Sequence, residues 1–216
     1  MPLSKNEFTN IHKPLPREFF ARPVLTVAKE CLGNLLVHEI GNTTLVARIV
    51  EVEAYRGPLD RAAHSFGGRR TERTEVMFGQ AGIAYVFFVY GMHCLFNVVT
   101  GNRNEPQAVL IRAAEPQYGQ ASMSSRRGHP KDIRTLTNGP GRLCQAFGID
   151  RFYNGTDLCR PPLYFAQGPA PRVIEQSPRI GVDYAGTWAE RPWRWIDAES
   201  PFVSRRPGPK GPRQIG

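Results

Sequence analysis

The chain has 216 residues, 41% of them hydrophobic, with 28 Lys+Arg against 19 Asp+Glu and a formal net charge of +9. That is enough apolar material for one compact domain, and the charge favours a polyanionic partner, although a basic surface also serves solubility alone. No segment is long and apolar enough to span a membrane, the opening MPLSKNEFTNIHKPLP lacks a signal-peptide core, and Cys31, Cys94, Cys144 and Cys159 have no zinc spacing. The expectation is a soluble intracellular protein with reduced thiols, no metal and no membrane contact.

Residues 1–20 are polar and carry three prolines, and they read as an arm, separate from the domain in sequence, that docks late or stays mobile. In PVLTVAKECLG, Val24, Val27, Ala28 and Cys31 recur at helical spacing, and Gly33 sits where a helix would stop. NLLVHEI and TTLVARIVEVEAY are β-branched runs separated by Gly41-Asn42, a turn signal, which predicts paired strands. In the second strand alternation puts Glu51, Glu53 and Tyr55 on one face, against Val50, Val52 and Ala54. GPLDRAAHSFGGRRTER reads as a loop with one short helical turn. IAYVFFV and CLFNVVT are β-prone runs joined across YGMH, and AVLIRAAEP is a strand expected to end near Arg112.

Residues 117–138 are polar, arginine-rich and weakly patterned. GPGRLCQAFGI predicts a loop running into a helix N-terminus. LYFAQ, PRIGV and PWRWIDA are candidate short strands. Residues 205–216, RRPGPKGPRQIG, read as a basic, disordered Pro/Gly tail. The predicted architecture is α+β: one mixed domain over residues 21–204, around a curved, mostly antiparallel sheet with peripheral helices.

The chemistry concentrates in Glu51 to Asn97. Glu53, beside Tyr55 and near His64, fits a general base acting on water; the local pattern also fits a solvated acidic strand face. Tyr55, His64, Phe87 and Tyr90 can form an aromatic slot for a flat ligand, since base stacking contributes roughly 1–3 kcal/mol; part of the Tyr85–Phe88 run must instead be core. Tyr90, at a turn between strands, can wedge into a duplex or simply pack on a neighbouring loop. Arg69, Arg70 and Arg73 can grip phosphates or merely solvate a loop. The turn at Gly141 and Arg142 can present backbone N–H groups to a phosphate or simply cap a helix.

In order, EVEAYRGPLDRAAHS, TERTEVMFG, AYVFFVYGMHCLFNVV, AVLIRAAEP and NGPGRLCQAFGI closely resemble the 3-methyladenine (alkyladenine) DNA glycosylase family, of the type found in mammals as well as bacteria. The match runs from about Ala21 to Ser204. The resemblance implies a cofactor-free enzyme that flips alkylated or deaminated purines out of double-stranded DNA and hydrolyses the N-glycosidic bond. Glu53 falls on the water-activating glutamate, and Arg112 on the arginine that helps hold that water. Tyr55 and His64 match residues enclosing the flipped base, Tyr90 matches the intercalating tyrosine, and Asn97 matches the asparagine that excludes guanine through its exocyclic amine. Phe87 stands where the mammalian enzyme has a tyrosine, so stacking is kept and a polar contact is lost.

A monomer is expected, in the cytoplasm at the bacterial nucleoid or in a eukaryotic nucleus. Two rivals remain at this level: an inert binder of damaged DNA, and a glycosylase/lyase using an amine. The only lysines are Lys5, Lys13, Lys29, Lys131 and Lys210, none within Glu51–Asn97.

Overall fold

The two runs around Gly41-Asn42 form an antiparallel pair, β1 (Leu35–Ile40) and β2 (Thr43–Tyr55), in a computed structural model that describes residues 13–89, 91 and 93–207. The helical spacing ahead of them becomes α2 (Val24–Cys31), preceded by a single turn, α1 (Arg17–Phe20). β3 (Ala84–Val89) and β4 (His93–Thr100) pair across the predicted turn, and β4 pairs with β5 (Gln107–Tyr118). After α3 (Gln120–Arg126) and α4 (Pro140–Phe147) come β6 (Leu163–Ala166), β7 (Ile174–Ser177) and β8 (Arg194–Asp197). The sheet order is β3-β4-β5-β2-β1-β6, with β8 on β2 and β7 on β8, and every pairing is antiparallel. The result is one mixed α+β domain on a curled antiparallel sheet.

β2 is long enough to divide its partners. Residues 43–48 pair with β1, and residues 51–53 pair with β8 on the same edge. The sheet therefore branches near Ile49 on that edge, while β5 runs along the other edge of β2. One face is the main core: Leu36, Ile49, Val52, Phe96, Ile111 and Phe165 pack under Phe20 of α1, Val27 and Ala28 of α2, and Leu143 and Phe147 of α4. Burial of each such side chain stabilises the fold by about 1.5–3 kcal/mol. The other face carries the acids of β2. All four cysteines are free, and burial pushes the Cys31 thiol up to about 12, so it is an inert core group.

The structure amends five sequence expectations. The last part of the proposed arm belongs to the domain: Leu15 and Phe20 join the main core, Pro14 bridges to Ala166, and Arg17 pairs with Asp157 at 2.9 Å. The apolar residues of LPREFF are too few to show a pattern, but they suffice to dock one helical turn. β5 does not end near Arg112 but continues to Tyr118, because β2 supplies pairing partners along its whole length. Residues 117–138 contain α3, anchored by the fully buried Met123. PRIGV is not a strand: β7 stops at Ser177, and the next residues run as a loop beneath the acids of β2. At the C-terminal end, Arg206 donates to the carbonyls of Ala198 and Ser200, so the start of the proposed tail still touches the domain. Residues 1–12 and 208–216 lie outside the described residues.

Candidate active site

The site begins with an irregularity in the β2–β5 ladder. Ile49 pairs with Ala114, Glu51 with Ala113 and Val52 with Ile111, so the register steps past Val50 on one strand and past Arg112 on the other. Bulges of this kind re-aim side chains and favour active sites. Here they bring Arg112 between two acids. Its Nε donates to Glu51 at 2.9 Å, and its Nη1 lies 3.3 Å from Glu53. Both carboxylate side chains have no exposed surface, so the solvated acidic strand face is excluded.

The two acids have different surroundings. Glu51 is tied into the protein by Arg112, by Arg194 at 2.8 Å, and by the backbone N–H and hydroxyl of Ser204 at 2.6 and 2.8 Å. Glu53 accepts from the Tyr55 hydroxyl at 2.9 Å on Oε2 and from the Ile180 N–H at 2.8 Å on Oε1, the oxygen that also faces Arg112. Burial alone would lower the Arg112 pKa, but the Glu53 and Glu51 charges more than offset it and raise it. Burial, then the Glu53 charge, pushes the Tyr55 phenol well above its usual value, so Tyr55 stays a donor.

Above this floor lies a cavity of about 390 Å³, lined by Tyr55, Arg112 and Ile180 among others. That is within the ~300–1,000 Å³ range of small-ligand sites. The structure brings all four proposed pocket residues, Tyr55, His64, Phe87 and Asn97, to its wall. His64 packs edge-on to Phe87, with ring centroids 4.6 Å apart, and its Nδ1 lies 2.8 Å from the Tyr85 hydroxyl. Alternation separates Tyr85 and Phe87, which line the cavity, from Phe88, which is exposed on the opposite face. The Asn97 amide donates to the Tyr85 carbonyl at 3.1 Å, which fixes its orientation. Tyr90 lies outside the described residues.

The proposed phosphate contacts are placed unequally. The Arg73 guanidinium sits 4.9 Å from the Phe87 ring centroid and 3.5 Å from His64 Nε2, which puts a cation at the cavity rim. Arg70 is occupied by a two-pronged ion pair with Glu75 at 2.8 and 2.5 Å. Arg69 is exposed in the same loop. Gly141, in the first turn of α4, lines the cavity, and a side chain there would meet the His93 ring at 3.2 Å; Arg142 is held by Asn138 at 2.7 Å.

Sequence reasoning missed Ile180, Arg179, Tyr184, Arg194 and Ser204. Ile180 acts through its backbone, Arg194 is a counter-charge to Glu51 and Ser204 donates two hydrogen bonds to it, so none carries a local signal. Arg194 lies opposite Glu53 in the β2–β8 register, but that pairing joins segments far apart in the chain.

Burial, followed by the Arg73 and Arg69 charges, pushes the His64 pKa from 6.5 down to about 4. The folded state therefore holds a neutral imidazole. Its contribution to stability is fully present above pH 6.5 and is lost as pH falls through about 4. Ring-proton NMR should find a His64 midpoint far below 6.5 in the folded protein, and Arg73→Ala should move it upward. A midpoint at the ordinary histidine value would show that the imidazole is open to solvent.

An aromatic cavity with an arginine-paired carboxylate beneath it and a cation at its rim can hold a flat heterocycle for hydrolysis. Comparison with known proteins is specific. Residues 18–201 match the model of the Methylpurine-DNA glycosylase (MPG) family. A protein of Desulfitobacterium hafniense (strain Y51) named "Putative 3-methyladenine DNA glycosylase" is 50% identical over 200 residues, covering 89% of this chain and 98% of the relative. Relatives with the same name from Bacillus licheniformis and Myxococcus xanthus are 48% and 50% identical over 90% of this chain, which aligns with 98% and 95% of their lengths. The chain belongs to the methylpurine-DNA glycosylase family.

Proposed function

We propose that the protein is a monofunctional DNA glycosylase that, as a monomer, turns alkylated or deaminated purines (3-methyladenine, 7-methylguanine, hypoxanthine) out of duplex DNA and hydrolyses their N-glycosidic bond. The observation that carries this reading is the position of Glu53: it lies under the cavity, and Tyr55, Ile180 and Arg112, which surround its carboxylate, all line that cavity. A carboxylate offers about four lone-pair sites. Tyr55, Ile180 and Arg112 occupy three, which leaves one on Oε2 for water. Glu53 has no exposed surface, so its carboxylate is shielded from bulk solvent. Glu53 takes the water's proton as the oxygen attacks C1′, and the bonding electrons leave with the purine. N3- or N7-alkylation makes the purine cationic, so it departs neutral without an acid. A neutral imidazole at His64 favours a role for that ring as a wall rather than as an acid.

Arg69, Arg73 and Arg142 hold the DNA backbone in this reading, and Tyr90 fills the gap left by the extruded nucleotide. No described lysine lines the cavity, which favours water over an amine nucleophile. The test is release of free base from methylated and from inosine-containing duplex DNA. Excision with an intact, alkali-labile strand supports the proposal, and absence of excision from both substrates overturns it.

Asn97 governs selectivity here. It is 3% exposed and pinned by its bond to the Tyr85 carbonyl, and in this reading it crowds the 2-amino group of guanine. Asn97→Ala or Asn97→Ser should raise excision of undamaged guanine relative to hypoxanthine by roughly 10-fold or more, the scale of a removed steric conflict. An unchanged ratio in a competition assay would assign guanine exclusion to another contact.

A further inference from the structure

Two of the three groups that hold Glu53 lean on one buried ion pair that the mechanism does not use. Arg179 and Asp60 both have fully buried side chains. Arg179 Nη1 and Nη2 grip the two Asp60 oxygens at 2.5 and 2.9 Å, and the same nitrogens donate to the carbonyls of Ala54 at 2.9 Å and Trp188 at 3.1 Å. Asp60 also accepts the backbone N–H groups of Arg56 and Ala62 at 3.0 Å each. The guanidinium carbon lies 4.9 Å from the Tyr55 ring centroid and 5.1 Å from that of Trp193.

A pair this deep is a poor source of net stability, because desolvation takes back most of the Coulomb gain and apolar replacements often do as well. Its location suggests another use. Arg179 immediately precedes Ile180, whose N–H meets Glu53 Oε1, and it covers the ring of Tyr55, whose hydroxyl meets Glu53 Oε2. Next in the chain is Gly181, at φ +75°, where the backbone turns in a conformation that favours glycine. The loop at 179–181 has no strand ladder to fix it. The Ile180 amide is tethered by this ion pair on one side and Glu53 on the other, while the loop beyond it is anchored by Val182, buried against Ala62 and Ala185.

We propose that Arg179 and Asp60 form a positioning pair that sets the Glu53 carboxylate for its water through the Ile180 amide and the Tyr55 ring. This rests on the glycosylase reading. The pair touches neither the base nor the reacting atoms in that reading, so its loss acts on chemistry rather than on capture of DNA. Lysine keeps the charge of Arg179 but cannot grip both oxygens of Asp60 and both carbonyls in one plane.

The experiment compares the parent, Glu53→Gln, Arg179→Lys and Asp60→Asn. Asp60→Asn leaves a buried guanidinium without its carboxylate and is the harsher change; Arg179→Lys, which keeps both charges, keeps the test open if Asp60→Asn folds poorly. Single-turnover excision of hypoxanthine and 7-methylguanine is measured at saturating enzyme, normalised to the folded fraction, beside affinity for duplex DNA carrying an abasic-site analogue. The Ile180 amide is followed by NMR. The expected result is a fall of about 10–100-fold in the single-turnover rate, the scale of a small misplacement, with affinity little changed and a shifted, less protected Ile180 amide. A parental rate in the folded variants overturns the proposal, as does an equal loss of affinity and rate. If the parent itself releases no base, the glycosylase reading fails and this inference with it. If the parent releases base and the variants match it, only the positioning role fails.

Discussion

Glu53→Gln is expected to lower single-turnover excision by at least ~100-fold, within the range of general-base effects, while binding to lesion DNA persists. The reason lies in the bonds around the carboxylate. Placed with its oxygen at the Oε1 position, the amide still accepts from the Ile180 N–H and faces Arg112, and its NH₂ donates to the Tyr55 hydroxyl in the place where Oε2 accepted from it. Shape and hydrogen bonding survive; the capacity to take a proton from water does not. Arg112 keeps its bond to Glu51, so the cation is not stranded. Single-turnover kinetics separate this outcome from a folding defect. Near-parental excision by the variant would remove Glu53 from the mechanism.

The parts of this site that could be read from the sequence are those whose signals are local. β1 and β2 were legible because β-prone runs flank the turn signal Gly41-Asn42, and alternation within the second run put Glu53 and Tyr55 together, where they form a hydrogen bond. α4 was legible from its Gly-Pro-Gly entry and its apolar stripe of Leu143, Cys144, Ala146 and Phe147. What alternation cannot supply is register. The step past Val50 and Arg112 is a property of two strands together, and it alone explains why Arg112, in mid-strand, reaches both acids. PRIGV misled for a related reason. Ile180 and Val182 alternate as in a strand, yet no strand pairs with them, and the functional atom is a backbone N–H that any residue but proline could supply. Within the Arg69–Arg73 cluster, composition could not separate Arg70, spent on Glu75, from Arg73, which leans on Phe87 at the cavity rim.

The same register argument separates the two acids of β2, and the separation can be measured. Glu51→Gln is expected to destabilise the fold by about 3–5 kcal/mol, the cost of removing one partner from a buried charge network. Set against a typical total of 5–15 kcal/mol, this should appear as a large fall in the urea midpoint at unchanged slope. Glu51 receives Arg112, Arg194 and the Ser204 hydroxyl on one oxygen and the Ser204 N–H on the other. An amide there sets its own NH₂ against one of these donors, and it leaves Arg194, 2% exposed, without a carboxylate. Glu53→Gln, whose neighbours can be satisfied by an amide, should move the midpoint much less. If the two variants unfold together, Glu51 is not the counter-charge that anchors Arg112. If Glu51→Gln alone is weakened, the closer contact of Arg112 with Glu51, 2.9 Å against 3.3 Å to Glu53, acquires a reason. One acid then holds the arginine in place, and the other keeps an oxygen available for water.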